Sequence, residues 1–339
     1  MKLYICLTYY HTLITLIKAI LNKKQYDMFL ANDIPDYENL KKRLDNTGYF
    51  NKIIVYDALH AQIRYPHTNR LIRILVQRKR NIKSVERVLN IDFHEYDEIY
   101  LYHDFSEIGK YLMDKKIPFH LLEDALDYFK YFDKYYKVEQ GMFAPHSWQM
   151  FLKKYLHIGY LSWGQSPYAV DIEVNRKEGI KIPLDKVFEV PRKELFDMLD
   201  NTGKCLVYNT YAVGESVESD YGKSMILFTQ PLAKDKFVSS EEEQYQIFEL
   251  LVQNYKNLGY AITVKPHPRD IVDYTGLVKK YNCILIDKNI PSEILNFNPE
   301  AKYDIAISIT STAIEFLEYV KERKYMGFEF IEGYRKKNS

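Results

Sequence analysis

The sequence predicts an α/β protein of two successive Rossmann-like domains, and three observations carry the prediction. Strand-like apolar runs alternate with helix-like segments along the chain, beginning at Lys2. The stretch from Tyr260 to Asp270, YAITVKPHPRD, ends an apolar, β-branched run with one histidine between two prolines. At 339 residues the chain is long enough for two hydrophobic cores.

Taken in order, residues 2–7 read as a buried strand, and a loop of Thr8, Tyr9, Tyr10, His11 and Thr12 leads into a helix over 13–22. Tyr26 to Ala31 is a second strand, followed by a helix at 36–46 and a strand at 52–56. Residues 64–90 combine helical apolar spacing with Arg64, Arg70, Arg73, Arg78, Lys79, Arg80, Lys83 and Arg87. This is either a solvated helix face or a patch that meets anionic lipid headgroups at a membrane surface or an anionic acceptor.

Glu98 to Tyr102 is another strand, and 105–115 a helix. Pro118 to Leu122 is a strand that ends in Glu123-Asp124-Ala125. Adjacent carboxylates repel, so one of them can titrate high and serve as a general base; acids opening a helix give the same pattern. Residues 126–168, with His146, Trp148 and Trp163, are aromatic and irregular, and read as a lid or acceptor-facing insertion. Periodicity is weak over 169–203. Pro191 and Asn201-Thr202-Gly203 supply the breaks that end a first domain at 1–195.

The second domain is expected over 203–325. Leu206 to Tyr208 and Met225 to Thr229 read as strands, the latter running into Gln230 and Pro231. Residues 241–258 form a helix with three glutamates in its first turn and Gly259 as its stop. The strand 261–264 then meets Lys265-Pro266-His267-Pro268-Arg269. Proline lacks an N–H and pushes its predecessor into extended geometry, so Pro266 and Pro268 hold His267 on a stiff turn. Ligands of open α/β sheets bind at that edge, and the cations beside His267 suit a phosphate. Strands at 284–287 and 304–307 follow. Ser308, Thr310, Ser311 and Thr312 then precede a helix over 313–323, where hydroxyls and free N–H groups either hold phosphate or simply cap. Residues 326–339 are left as a tail.

Composition excludes several classes. A formal net charge of +1 gives no field for nucleic acid, and 47% hydrophobic with 27% charged residues is ordinary for a globular chain. Cys6, Cys205 and Cys283 show no metal spacing, so no metal and no disulfide is expected, and a reducing compartment fits. No apolar run is long enough to span a bilayer, and the N-terminal run lacks a cleavage site.

The ordered set of motifs resembles the bacterial sialyltransferases of glycosyltransferase family 52, which includes lipooligosaccharide and capsule enzymes. Ile5 to His11 resembles that family's start, Glu123-Asp124-Ala125 its acidic motif, Lys265-Pro266-His267-Pro268 its His-Pro motif and Ser311-Thr312 its paired hydroxyls. Thr229-Gln230-Pro231 is also similar. The acidic motif departs from the family pattern, with Ala125 where glycine is usual.

The resemblance implies a GT-B fold with a cleft between the domains and a cytoplasmic setting at the inner face of a bacterial membrane. It implies an inverting transfer from CMP-sialic acid to a galactoside-type acceptor, with no cofactor. By motif position Glu123 is favoured as base, with Asp124 the alternative, and His267 acts on the departing phosphate. Lys265, Pro266, Arg269, Thr229, Gln230, Ser308, Thr310, Ser311 and Thr312 are expected on the donor side, and Thr8 to His11 on the acceptor side. A homodimer stays open, as do a family-52 glucosyltransferase, a CDP-glycerol glycerophosphotransferase and an inactive nucleotide-sugar binding protein.

Overall fold

A computed structural model describes residues 1–61, 79–125, 127–131, 160–180, 184–212, 223–298 and 302–338. The expectations for Arg64, Arg70, Arg73, Arg78, His146 and Trp148 lie outside the described residues. The chain divides into two compact units, Met1–Gly203 and Lys204–Ser339.

The first unit holds a seven-stranded sheet. Its strands are β1 (Lys2–Cys6), β2 (Tyr26–Ala31), β3 (Phe50–Tyr56), β4 (Glu98–Leu101), β5 (Phe119–Leu122), β6 (Ala169–Val174) and β7 (Val187–Glu189). Every neighbouring pair is parallel, in the order β3-β2-β1-β4-β5-β6-β7. The order reverses direction between β1 and β4, which makes the carboxyl ends of those strands the expected ligand edge. Leu3, Ile5, Phe29 and Leu101 are fully buried, as strands covered on both faces require.

The second unit holds β8 (Ser224–Phe228), β9 (Ala261–Lys265), β10 (Ile284–Leu285), β11 (Tyr303–Ser308) and β12 (Val320–Tyr325), ordered β10-β9-β8-β11-β12 and all parallel. Here the reversal lies between β8 and β11. Across the sheet lies the helix Glu241–Asn257, which starts where Ser240 accepts from Glu243 N–H. Its Ile247, Phe248, Leu251 and Val252 pack on Met225, Leu227, Ile262 and Val264. Two parallel sheets with helices make the chain an α/β protein, as expected.

Four local expectations change. Thr8 accepts from His11 N–H and caps a helix over Tyr9–Asn22, so the helix begins four residues before 13 and takes up the polar loop. Leu206 to Tyr208 is not a strand but the middle of a helix, Asn201–Tyr211, whose buried Val207, Thr210 and Tyr211 follow helical spacing. The helix expected over 313–323 is a 3₁₀ turn, Thr312–Phe316, followed by β12. Pairing with β11 overrides the helix-forming charges of Val320–Tyr325, and those charges sit on an exposed strand at the sheet edge. Residues 327–338 are a helix rather than a tail, and Ile331 enters the core of the second unit.

Candidate active site

In the first unit the chemistry gathers at the β1/β4 edge. Leu7 N–H donates to Nδ1 of His11 at 3.0 Å, so the ring proton lies on Nε2. Nε2 in turn donates to Asp124, with Oδ1 at 2.9 Å and the Asp124 carbonyl oxygen at 3.1 Å. Tyr102, just past β4, stacks on the imidazole with ring centroids 4.3 Å apart and planes 7° apart. His11 is fully buried, whereas the Asp124 side chain keeps 25% of its surface exposed. Burial pushes the Asp124 carboxyl up, but the His11 hydrogen bond and the neighbouring imidazoles more than offset it and hold the group below the usual value.

Glu123 faces inward. Its Oε2 accepts from Asn175 N–H at 2.7 Å and its Oε1 from Phe129 N–H at 3.4 Å, with 1% of the residue exposed. Burial pushes its carboxyl up to about 7, against the pull of those amides and of Arg192. Adjacent residues at a strand end point to opposite sides, and here the glutamate takes the interior. Of the acceptor-side residues, His11 joins the site and Thr8 caps its helix.

In the second unit, β8, β9 and β11 bring Thr229, Gln230, His267 and Thr310 to one edge. Gln230 Nε2 donates to Thr310 Oγ1 at 2.6 Å and Gln230 Oε1 accepts from Thr310 N–H at 3.2 Å, a clamp across the point where strand order reverses. Arg269 N–H donates to His267 Nδ1 at 3.0 Å, which leaves the proton on Nε2. Among the described residues Nε2 has no partner. His267 is half-buried; burial, with the Arg269 and Lys265 charges, pushes its pKa down to about 4. The ring therefore presents a neutral N–H donor at neutral pH.

Two expected phosphate ligands are engaged elsewhere. Lys265 is 3% exposed and donates to the carbonyls of Pro266 at 2.9 Å and Lys288 at 3.1 Å. Burial lowers it to about 8. It braces the His-Pro loop from inside because the last position of β9 points into the core. Arg269 spends both terminal nitrogens on Asp235, at 3.1 and 3.0 Å. Ser308 Oγ accepts from Ser311 N–H at 2.7 Å, and Ser311 Oγ accepts from Ala313 N–H at 3.3 Å, so both hydroxyls cap the turn that Thr312 opens.

Asp270, which no sequence motif singles out, anchors the His267 loop. It is 1% exposed and accepts from Thr229 Oγ1 at 2.6 Å, Gln244 Nε2 at 2.8 Å and Tyr274 OH at 3.1 Å. This network seats the His267 loop on the Glu241–Asn257 helix. Arg192, at the start of the helix Arg192–Asp197, is likewise without a sequence signal. It is buried against Glu173 at 2.7 Å, and Glu173 takes Lys18 at 2.6 Å.

Residues 65–326 match the sequence model of glycosyltransferase family 52. The GT-B domain of a Photobacterium damselae sialyltransferase superposes with a TM-score of 0.55 at 13% identity, covering 96% of this chain and 89% of that one. An α/β-galactoside α-2,3-sialyltransferase from Photobacterium phosphoreum gives 0.50 at 13% identity, covering 95% and 88%. These likenesses show a shared GT-B fold. An uncharacterized protein of Haemophilus influenzae is 33% identical over 102 residues, which are 30% of this chain and 31% of that protein's length. With the model match extending over most of its length, the chain belongs to glycosyltransferase family 52.

Proposed function

We propose that the protein transfers sialic acid from CMP-sialic acid to a galactoside-type acceptor, with inversion, in the synthesis of a bacterial capsule or lipooligosaccharide. The observation that carries this reading is the hydrogen-bonded pair of His11 and Asp124. It supplies an ionised, partly exposed carboxylate at the ligand edge of a GT-B unit, held in position to take up a proton.

Asp124 takes the proton of an acceptor hydroxyl as that oxygen attacks the anomeric carbon. The bond from that carbon to the CMP phosphate breaks, and CMP leaves with the electron pair. His11 holds Asp124 in orientation by its Nε2–H. His267 Nε2–H hydrogen-bonds the departing phosphate and stabilises its charge. This assignment moves the base from Glu123 to Asp124, because both Glu123 oxygens accept backbone N–H groups. Lys265 becomes a brace of the loop rather than a phosphate ligand.

The proposed setting is the bacterial cytoplasm at the inner face of the membrane, as the resemblance implies. Among the described residues no helix is long and apolar enough to cross a bilayer. The test is product analysis with purified protein, CMP-sialic acid and a panel of galactosides. Sialylated product with release of CMP is expected; no release of CMP, or thermal stabilisation by UDP but not CMP, overturns the reading.

A further inference from the structure

A polar cavity lies in the first unit, on the sheet face under the Tyr9–Asn22 helix. It measures about 290 Å³, and its walls include Lys2, Lys18, Tyr100, His120, Asp171 and Phe188. Its lining runs from Lys2 and Tyr26, the first residues of β1 and β2, to Glu173 near the end of β6, and includes neither His11 nor Asp124. The interior face of a parallel sheet is normally aliphatic. Here the face carries a polar aromatic row instead.

The row follows the strand register. Tyr4 is opposite Tyr100, and Tyr100 opposite His120. Tyr4 and Tyr100 stack at 4.5 Å and 7°, Tyr100 and His120 at 4.8 Å and 20°, and Tyr26 closes the row against Tyr4 at 5.0 Å. His120 Nδ1 donates to Asp171 at 2.9 Å. Lys2 pairs with Glu98 at 2.7 Å and Lys18 with Glu173 at 2.6 Å.

That pairing decides the ligand class. Both lysines are already neutralised by carboxylates, so they offer a phosphate or carboxylate no unpaired positive charge. A neutral polyol can donate to Asp171 and accept from the remaining N–H groups of Lys2 and Lys18 without unmaking either pair. Phe188, 39% exposed, offers a ring for the apolar face of a sugar. The volume is near the lower end of small-molecule sites, ~300–1,000 Å³, and suits one monosaccharide unit.

We propose that this cavity is a second saccharide-binding site, which holds a neutral sugar of a glycan chain apart from the reacting end. It goes beyond the transfer reading and does not depend on the donor.

The experiment is saturation-transfer NMR on the full chain, with glucose and N-acetylglucosamine as probes and no nucleotide present. At least one probe is expected to bind the wild type and Asp124→Asn alike. Affinity for it should fall about tenfold in both Asp171→Asn and Phe188→Ala, the loss expected for one hydrogen bond to a charged group or one ring contact. Melting curves check that these two variants remain folded, and transfer to a short acceptor should be unchanged in them. No binding of either probe by the wild type, equal binding in all variants, or binding lost only in Asp124→Asn overturns the proposal. A chain that transferred no sialic acid would sink the proposed function and leave this inference standing.

Discussion

His11 and Asp124 are 113 residues apart in the chain and are joined by a hydrogen bond of 2.9 Å from Nε2 to Oδ1. The imidazole is oriented from behind by Leu7 N–H, so it can only donate forward. Asp124→Asn keeps the shape but cannot accept a proton. Turnover is expected to fall by about 100-fold or more, with CMP binding retained, since a positioned base contributes on that order. Rates of Asp124→Asn and Glu123→Gln measured side by side decide the assignment. An active Asp124→Asn with a dead, folded Glu123→Gln returns the role to Glu123.

His267→Ala is expected to reduce turnover by about 100-fold or more while the chain stays folded, because the ring's Nε2–H is the donor lost. The ring is neutral above about pH 4 in the free protein, held there by burial and by the Arg269 and Lys265 charges. The profile of kcat/KM, which reports the free enzyme, should therefore show no acid limb near 6.5 from this group. A limb there that disappears in His267→Ala would falsify the neutral-donor role.

Ser311 caps its turn through Ala313 N–H. Ser311→Ala should therefore lower stability by about 0.5–2 kcal/mol and leave CMP affinity nearly unchanged. Thermal melts beside calorimetric titration with CMP check both halves. A large drop in affinity without a change in melting temperature would restore the phosphate-holding role.

The parts legible in the sequence are those whose cause is local. Uninterrupted β-branched and apolar runs announce β1, β2, β8 and β9, and the prolines around His267 announce a stiff loop, whatever the rest of the fold does. The unread parts have distant causes. Val320–Tyr325 becomes a strand only because β11 offers it a ladder. The Lys265 ammonium looks like a phosphate ligand until its register on β9 turns it inward to Lys288 O. The choice between Glu123 and Asp124 depends on Asn175 and His11, neither of which is near the acidic motif in sequence. The family resemblance supplied the motif, and the side-chain geometry supplies the ground for preferring Asp124 to Glu123.

Glu123 makes the last prediction, on stability against pH. Its carboxyl rises from 4.5 to about 7 on folding, chiefly through burial. Between those values the folded chain holds a proton that the unfolded chain has released. The unfolded state binds fewer protons there, so stability falls as pH rises from about 4.5 to 7 and is level beyond. The group is buried, and a shift of this size corresponds to a loss on the order of 3 kcal/mol by pH 7.5. Glu123→Gln cannot ionise, so its unfolding free energy should lack that fall while carrying a constant loss from its imperfect hold on the Asn175 and Phe129 amides. Denaturant unfolding of both proteins at pH 4.5, 6 and 7.5 yields the difference directly. The wild type's unfolding free energy should fall relative to the variant's by about 3 kcal/mol from pH 4.5 to 7.5. A difference that stays constant, or that moves in the wild type's favour, would mean that the two amides offset or outweigh the burial of the carboxyl.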